Sequence, residues 1–280
     1  MDIQTNVEGI IESGAIDVYI PDKKFAIFYV DFVKGSDKYI DKRTNKKLIE
    51  ECREKGITAI EIFEDEWYEN KRKITLSKIR HLLGLNNNEK IYARKCTVKE
   101  LDTPKLTTLK GEFLNKNHIQ GNDRSAVKLG LFYEDKLVSV MTFCKPRRSL
   151  GEDKVGYDYE LMRFASDIDY NVIGGFSKLF KYFERNYEWK KLKTFADKRW
   201  SSGDVYMKNG WTHLHDSDLN YWYCTEEGER IHRFSFRKQA IKEKLPSIYD
   251  ESLTEFQMMD MTNYYRVFDC GNMVFEYVRD

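Results

Sequence analysis

The stretch AIDVYIPDKKFAIFYVDF (residues 15–32) decides how the chain begins to fold. Two β-branched and aromatic runs, IDVYI and FAIFYV, flank Pro21-Asp22-Lys23-Lys24. Short apolar runs broken by a polar, proline-bearing segment predict a strand, a turn and a strand. Further along, NKKLIEECREKG (45–56) sets Leu48, Ile49 and Cys52 at helical spacing and stops at Gly56. ITAIEIF (57–63) has the pattern of a buried strand. EWYENKRKITLSKIRHLLG (66–84) has that of an amphipathic helix, with Ile74, Ile79, Leu82 and Leu83 on one face. The order ββαβα places a helix between the second and third strands, which implies a crossover and a partly parallel sheet.

The polar run NNNEK (86–90) follows a helix stop and reads as a linker. Beyond it, KLGLFYEDKLVSVMTF (128–143) is a hairpin pattern turning at Glu134-Asp135-Lys136, and YDYELMRFA (157–165) is a third strand. NVIGGFSKLFKYFERNY (171–187) opens on Gly174-Gly175 and continues as a helix with Leu179, Phe180 and Phe183 on one face. KLKTFAD (191–197), a short helix in SGDVYMKNGW (202–211) and LNYWYC (219–224) complete the unit. The expected division is therefore 1–88, 89–228 and a basic extension, 229–280, packed on the middle segment.

Composition narrows the function. Of 280 residues, 47 are Lys or Arg and 46 Asp or Glu, for a net charge of +1. That balance excludes a polycation that coats nucleic acid or membranes non-specifically, so any DNA contact has to be local. Apolar residues at 41 % suffice for a packed core. Five widely spaced cysteines without a C-x-x-C pair argue for buried thiols rather than disulfides or a zinc site. No secretory pattern and no long apolar run is present, so the expectation is a cytosolic protein without a membrane partner.

In the first unit, carboxylates on adjacent strands have the chemistry to hold Mg²⁺, which activates water and stabilises charge on a phosphodiester. Asp17 is placed for the first metal ligand. Asp31 offers a second, with Lys34 three residues on near the phosphate, and Glu61 is an acid inside an otherwise apolar strand. By spacing alone, Asp17 serves equally well as a turn cap and Asp31 as a solvated side chain.

The blocks IDVYIPDKKFAIFY (16–29), ECREKGITAIEIFEDEW (51–67) and SKIRHLLG (77–84) resemble the nuclease domain of phage Hef-like homing endonucleases. Those are similar to very short patch repair endonucleases and share a restriction-endonuclease-like fold. The resemblance implies a metal-binding Asp at Asp17. The family's preceding acid falls on Ala15, its second-strand Glu on Phe28, and its His near Gly35. It implies nuclease ancestry with Mg²⁺-dependent cleavage weak or lost.

The second part resembles GNAT acetyltransferases and phage Mom-type DNA-modifying proteins. In such domains backbone N–H groups at a helix start receive a pyrophosphate. Gly174 and Gly175 stand at the cofactor-binding place, with Asn171 and Phe176 departing from the family's Gln/Arg-x-x-Gly-x-Gly/Ala pattern. The bulky Phe176 argues against acetyl-CoA. Tyr206, Gly210 and Trp211 match a second GNAT-like segment. The overall expectation is an α/β chain, with a shortened restriction-endonuclease-like domain and a GNAT-like mixed-sheet domain.

Arg147-Arg148, Lys198-Arg199 and Arg230, Arg233, Arg237 and Lys238 are basic positions, several beside aromatics, and are the expected contacts to double-stranded DNA. Segment 229–244 carries six Lys or Arg against two Glu. Three functions follow as expectations: DNA binding with cleavage weak or lost; a GNAT-type, Mom-like acyltransferase or DNA-modifying enzyme; or a non-catalytic phage protein that binds a host or phage protein inside the host cell.

Overall fold

The computed structural model describes residues 1–32, 44–146 and 156–279. In chain order the elements are β1 (Gln4–Val7), β2 (Ile16–Ile20), β3 (Phe25–Val30), α1 (Thr44–Glu54), β4 (Thr58–Phe63), α2 (Glu69–Leu82), β5 (Lys90–Tyr92), β6 (Thr97–Glu100), α3 (Pro104–Asn117), β7 (Val127–Tyr133), β8 (Lys136–Cys144), β9 (Tyr159–Ser166), β10 (Asn171–Ile173), α4 (Gly175–Asn186), β11 (Lys191–Asp197), α5 (Asp204–Met207), β12 (Thr212–Asp216), β13 (Tyr221–Cys224), β14 (Arg230–His232), α6 (Lys238–Lys244), α7 (Glu255–Met259), β15 (Tyr265–Phe268) and β16 (Asn272–Val278). The chain is a mixed α/β protein with several sheets.

Two compact units form, and they are not consecutive in sequence. One takes Met1–Tyr68, Asp197–Ser201 and Ser217–Asn272; the other takes Glu69–Ala196, Ser202–Asp216 and Met273–Asp280. The expected division at 88 and 228 therefore differs from the observed one. Helix α2 falls in the second unit, and most of 229–280 falls in the first rather than packing on the second.

The first unit is built on the quoted stretch. Strands β1-β2-β3-β4 form one sheet, with β1–β2 and β2–β3 antiparallel and β3–β4 parallel. A short turn over Pro21–Lys23, closed by the Lys24 amide donating to the Pro21 carbonyl at 3.0 Å, reverses the chain. The parallel β3–β4 pair needs a crossover, which the segment containing α1 supplies. Ile49 and Cys52 of α1 bury against Ile16, Ala26, Phe28 and Ala59. A second sheet, β14-β13-β15, packs Cys224, Tyr265 and Val267 against Phe32 and Phe63.

The second unit holds a seven-stranded sheet in the order β12-β16-β11-β9-β8-β7-β6. Strands β6 to β9 are antiparallel, and β9 and β11 are parallel, joined through α4. The apolar stripe of α4, Phe176, Leu179, Phe180 and Phe183, is buried in this unit's core. Strand β10 pairs in parallel with β5 in a separate two-stranded sheet. All five cysteines are buried free thiols. No helix among the described residues is long and apolar enough to cross a membrane.

Candidate functional site

Asp17 is the second residue of β2, part-exposed, and its Oδ2 accepts a hydrogen bond from the Tyr29 amide at 2.7 Å. Partial burial raises its pKa against the pull of that amide. Position 28, where the family carries its second acid, is the buried Phe28, paired in register with Glu61 of β4. Asp31 follows the end of β3. Lys34 lies outside the described residues. Among the described residues no three His, Cys, Asp or Glu side chains group to hold a metal. The second-ligand position of the expected Mg²⁺ site is thus taken by an apolar ring.

Glu61 is completely buried. Its Oε2 accepts from the Cys270 thiol at 3.8 Å, and its other oxygen has no hydrogen-bond partner among the described residues. Burial pushes its pKa up to about 8. The nearby Arg199 opposes that rise, while Asp197, Asp269 and Glu66 add to it. Glu61 is part of a buried network that joins three separate segments of the first unit.

Arg199 is the centre of that network. Its Nη1 and Nη2 donate to Glu66 Oε2 and Oε1 at 3.0 and 3.1 Å, and Nη2 also donates to Asp197 Oδ2 at 2.9 Å. The guanidinium lies 4.0 Å from the centre of the Phe63 ring. Burial alone would lower the Arg199 pKa, but Asp197 and Glu66 outweigh it and hold the group firmly charged. Lys198 donates from Nζ to Glu50 Oε1 at 2.6 Å. Both side chains belong to residues only 3 % exposed. The expectation that Lys198 and Arg199 meet DNA is corrected on this point: both charges are already neutralised inside the fold.

The last basic cluster divides. Arg230 donates to Asp65 Oδ2 at 2.9 Å and stacks over Phe63 and Trp222, so it too is structural. Arg233 lies over the Tyr221 ring at 4.9 Å. Arg237 and Lys238 are exposed at the start of α6, where Lys238 Nζ donates to the Glu251 carbonyl at 2.9 Å. Arg147 and Arg148 lie outside the described residues.

In the second unit β9 and β11 pair only from Tyr159–Leu192 to Leu161–Thr194 and then part. The cause is a β-bulge on β9: Phe143 pairs with Leu161 and Thr142 with Arg163, leaving Met162 as the extra residue, which bends the strand. Gly174, at φ +78°, caps α4 in the left-handed region. A Cβ on Gly175 would come within 3.1 Å of Ser139 Oγ and 3.2 Å of Val172 Cγ1, so this glycine serves close packing. Phe176 is 5 % exposed, and its ring lies 5.1 Å from Phe164 and 5.8 Å from Tyr206. Aromatic rings thus pack the core-facing side of the start of α4, and the pattern's last small position is a Phe turned into the core.

The other flank of α4 is open. A groove of about 560 Å³ runs between α4 and the β5–β6 segment. Four cationic side chains line it: Arg94, Lys178, Lys181 and Arg185. Three of them recur at i, i+3 and i+7 on α4, opposite its apolar stripe. Lys178 is anchored by donating from Nζ to the Ala93 carbonyl at 2.8 Å and to the Cys96 carbonyl, contacts that leave its charge uncompensated. Neither Lys181 nor Arg185 has an ion-pair partner among the described residues. The helix dipole adds positive potential near Gly174. The sequence reading missed this groove, although the spacing of its lysines and arginine on a predicted helix was a usable signal.

No protein-family description matches the chain, and no curated protein matches it. Among solved structures, the ribosomal-protein-S18-alanine N-acetyltransferase from Escherichia coli is similar over 48 % of this chain and 88 % of its own, at 12 % identity and a TM-score of 0.33. A likeness that loose does not assign a fold or an activity.

Proposed function

We propose that this chain binds DNA without cutting it, as a descendant of Hef-like homing endonucleases. The observation that carries this is the groove on α4, where four cations converge and, among the described residues, no carboxylate pairs with Lys181 or Arg185. Phosphates are the common anion that rewards such a cluster. The exposed Arg237 and Lys238 add a second cationic surface. The loss of cleavage is supported by Phe28 at the second-ligand position and by the complete burial of Glu61. Asp17 is then a strand residue held by the Tyr29 amide.

The test is a plasmid assay with Mg²⁺ or Mn²⁺ beside anisotropy of a labelled duplex over a salt series. Binding that weakens steeply with salt, and no nicking above the no-protein control, is the expected result. Metal-dependent nicking abolished by Asp17→Ala would overturn the loss of cleavage. Capture of one host or phage protein with no DNA affinity would favour a protein-binding module.

The parting of β9 and β11 favours one other reading, a GNAT-type acyltransferase, because it opens a sheet at a helix start. The packed Phe176 opposes it. A thermal midpoint that rises with saturating acetyl-CoA would restore that reading.

A further inference from the structure

The shape of the α4 groove says which form of DNA suits it. A volume of about 560 Å³ falls in the range of small-ligand clefts, roughly 300–1,000 Å³. A cleft of that size takes one or two nucleotides at a time. Its lining also goes beyond charge. Tyr92 is 38 % exposed, with the Arg94 guanidinium 5.1 Å from its ring centre. Tyr182 lies on α4 between Lys181 and Arg185, its hydroxyl donating to Glu100 Oε1 at 3.4 Å. Val98 and the 40 %-exposed Ile173 add an apolar surface. A groove of cations for the backbone, with exposed aromatic and aliphatic faces for bases, is the chemistry of single-strand binding. Duplex DNA hides its base faces and would use only the cations.

We propose that the α4 groove holds a segment of single-stranded DNA, with phosphates on Lys181, Arg185 and Arg94 and a base stacked on Tyr92. This rests on the DNA-binding reading above and narrows it to one form of the ligand. The geometry also assigns roles to the two residue types. The cations supply salt-dependent affinity, and Tyr92 supplies a salt-independent share available only to unpaired bases.

The experiment uses the full chain and two labelled probes, a thymidine dodecamer and a duplex, each titrated by anisotropy at several salt concentrations. The variants are Tyr92→Ala and the pair Lys181→Glu with Arg185→Glu, with the thermal midpoint of each checked against the parent. Tyr92→Ala should weaken dodecamer binding by about fivefold or more and leave duplex binding within twofold. The charge pair should weaken dodecamer binding by at least about tenfold and flatten its salt dependence. If the dodecamer binds Tyr92→Ala and the charge pair as it binds the parent, the groove is not its site and the proposal fails. If the charge pair weakens duplex while Tyr92→Ala changes nothing, DNA binding stands and the single-strand assignment falls. If the parent binds neither probe, both fail together.

Discussion

Replacing Arg199 with Ala is the sharpest test of whether the Lys198-Arg199 pair belongs to the fold or to a ligand surface. The guanidinium makes two hydrogen bonds to Glu66 and one to Asp197, and covers the Phe63 ring. Breaking a buried ion pair by deleting one partner costs about 3–5 kcal/mol, because the other charge stays buried. Glu66 is not left entirely bare: the Phe63 amide donates to it at 3.1 Å and Arg230 Nη2 at 3.4 Å. That places the expected loss near the low end, about 3 kcal/mol. With a urea slope of about 1–3 kcal/mol per molar, the midpoint should fall by roughly 1–3 M. Arg199→Met combined with Glu66→Gln should recover part of this, since the double change removes the stranded charge as well as its partner. The assay is urea unfolding followed by tryptophan fluorescence, with duplex binding measured on the same preparations. An Arg199→Ala protein with an unchanged urea midpoint but weakened DNA binding and a flatter salt dependence would refute the structural role.

Two further outcomes follow from the same unit. Burial raises the Glu61 pKa to about 8 from an ordinary 4.5. A raised carboxyl pKa favours the folded state below the unfolded value, and that advantage is lost as pH rises through the folded one. Glu61→Gln should therefore match the parent near pH 4 and grow more stable than it between about pH 4.5 and 8, as read from urea midpoints; parallel profiles across that window would sink the assignment. Gly271 has φ +75°, and a Cβ there would stand 2.7 Å from the Ser217 carbonyl oxygen. Gly271→Ala should cost about 1–3 kcal/mol, and an unchanged thermal midpoint would show that the turn can relax.

What the sequence disclosed depended on how local the cause was. The β2–turn–β3 pattern, α1 and β4 were legible because alternation, Pro21 and Gly56 act within a few residues. Strand β1 was not, since Gln4–Val7 carries a single apolar side chain and is held by pairing to β2. The interleaved units were illegible for a stronger reason. Asp197–Ser201 joins the first unit through the Glu61 amide, which donates to the Arg199 carbonyl at 3.1 Å, and through Arg53, which donates to the Ser201 carbonyl at 3.0 Å. Nothing near position 199 announces partners 130 or more residues away.

The same distance explains why counting cations along the chain picked out Lys198, Arg199 and Arg230, which the fold pairs off. Lys198, Arg199 and Arg230 stand among aromatics, which is also how a nucleic-acid surface looks in one dimension. Their carboxylates arrive from Glu50, Asp65 and Glu66, so folding spends those charges on each other. On α4 the apolar stripe fixes which side faces the core, and Lys178, Lys181 and Arg185 are then forced together on the opposite flank. Helical periodicity converts three scattered cations into one surface, whereas a run of adjacent cations spreads around the helix or, as at 198–199, disappears into ion pairs. For a chain with a net charge of +1, the informative quantity is therefore which cations the fold leaves without a carboxylate. The α4 groove meets that condition, and for that reason the DNA proposal rests on the second unit.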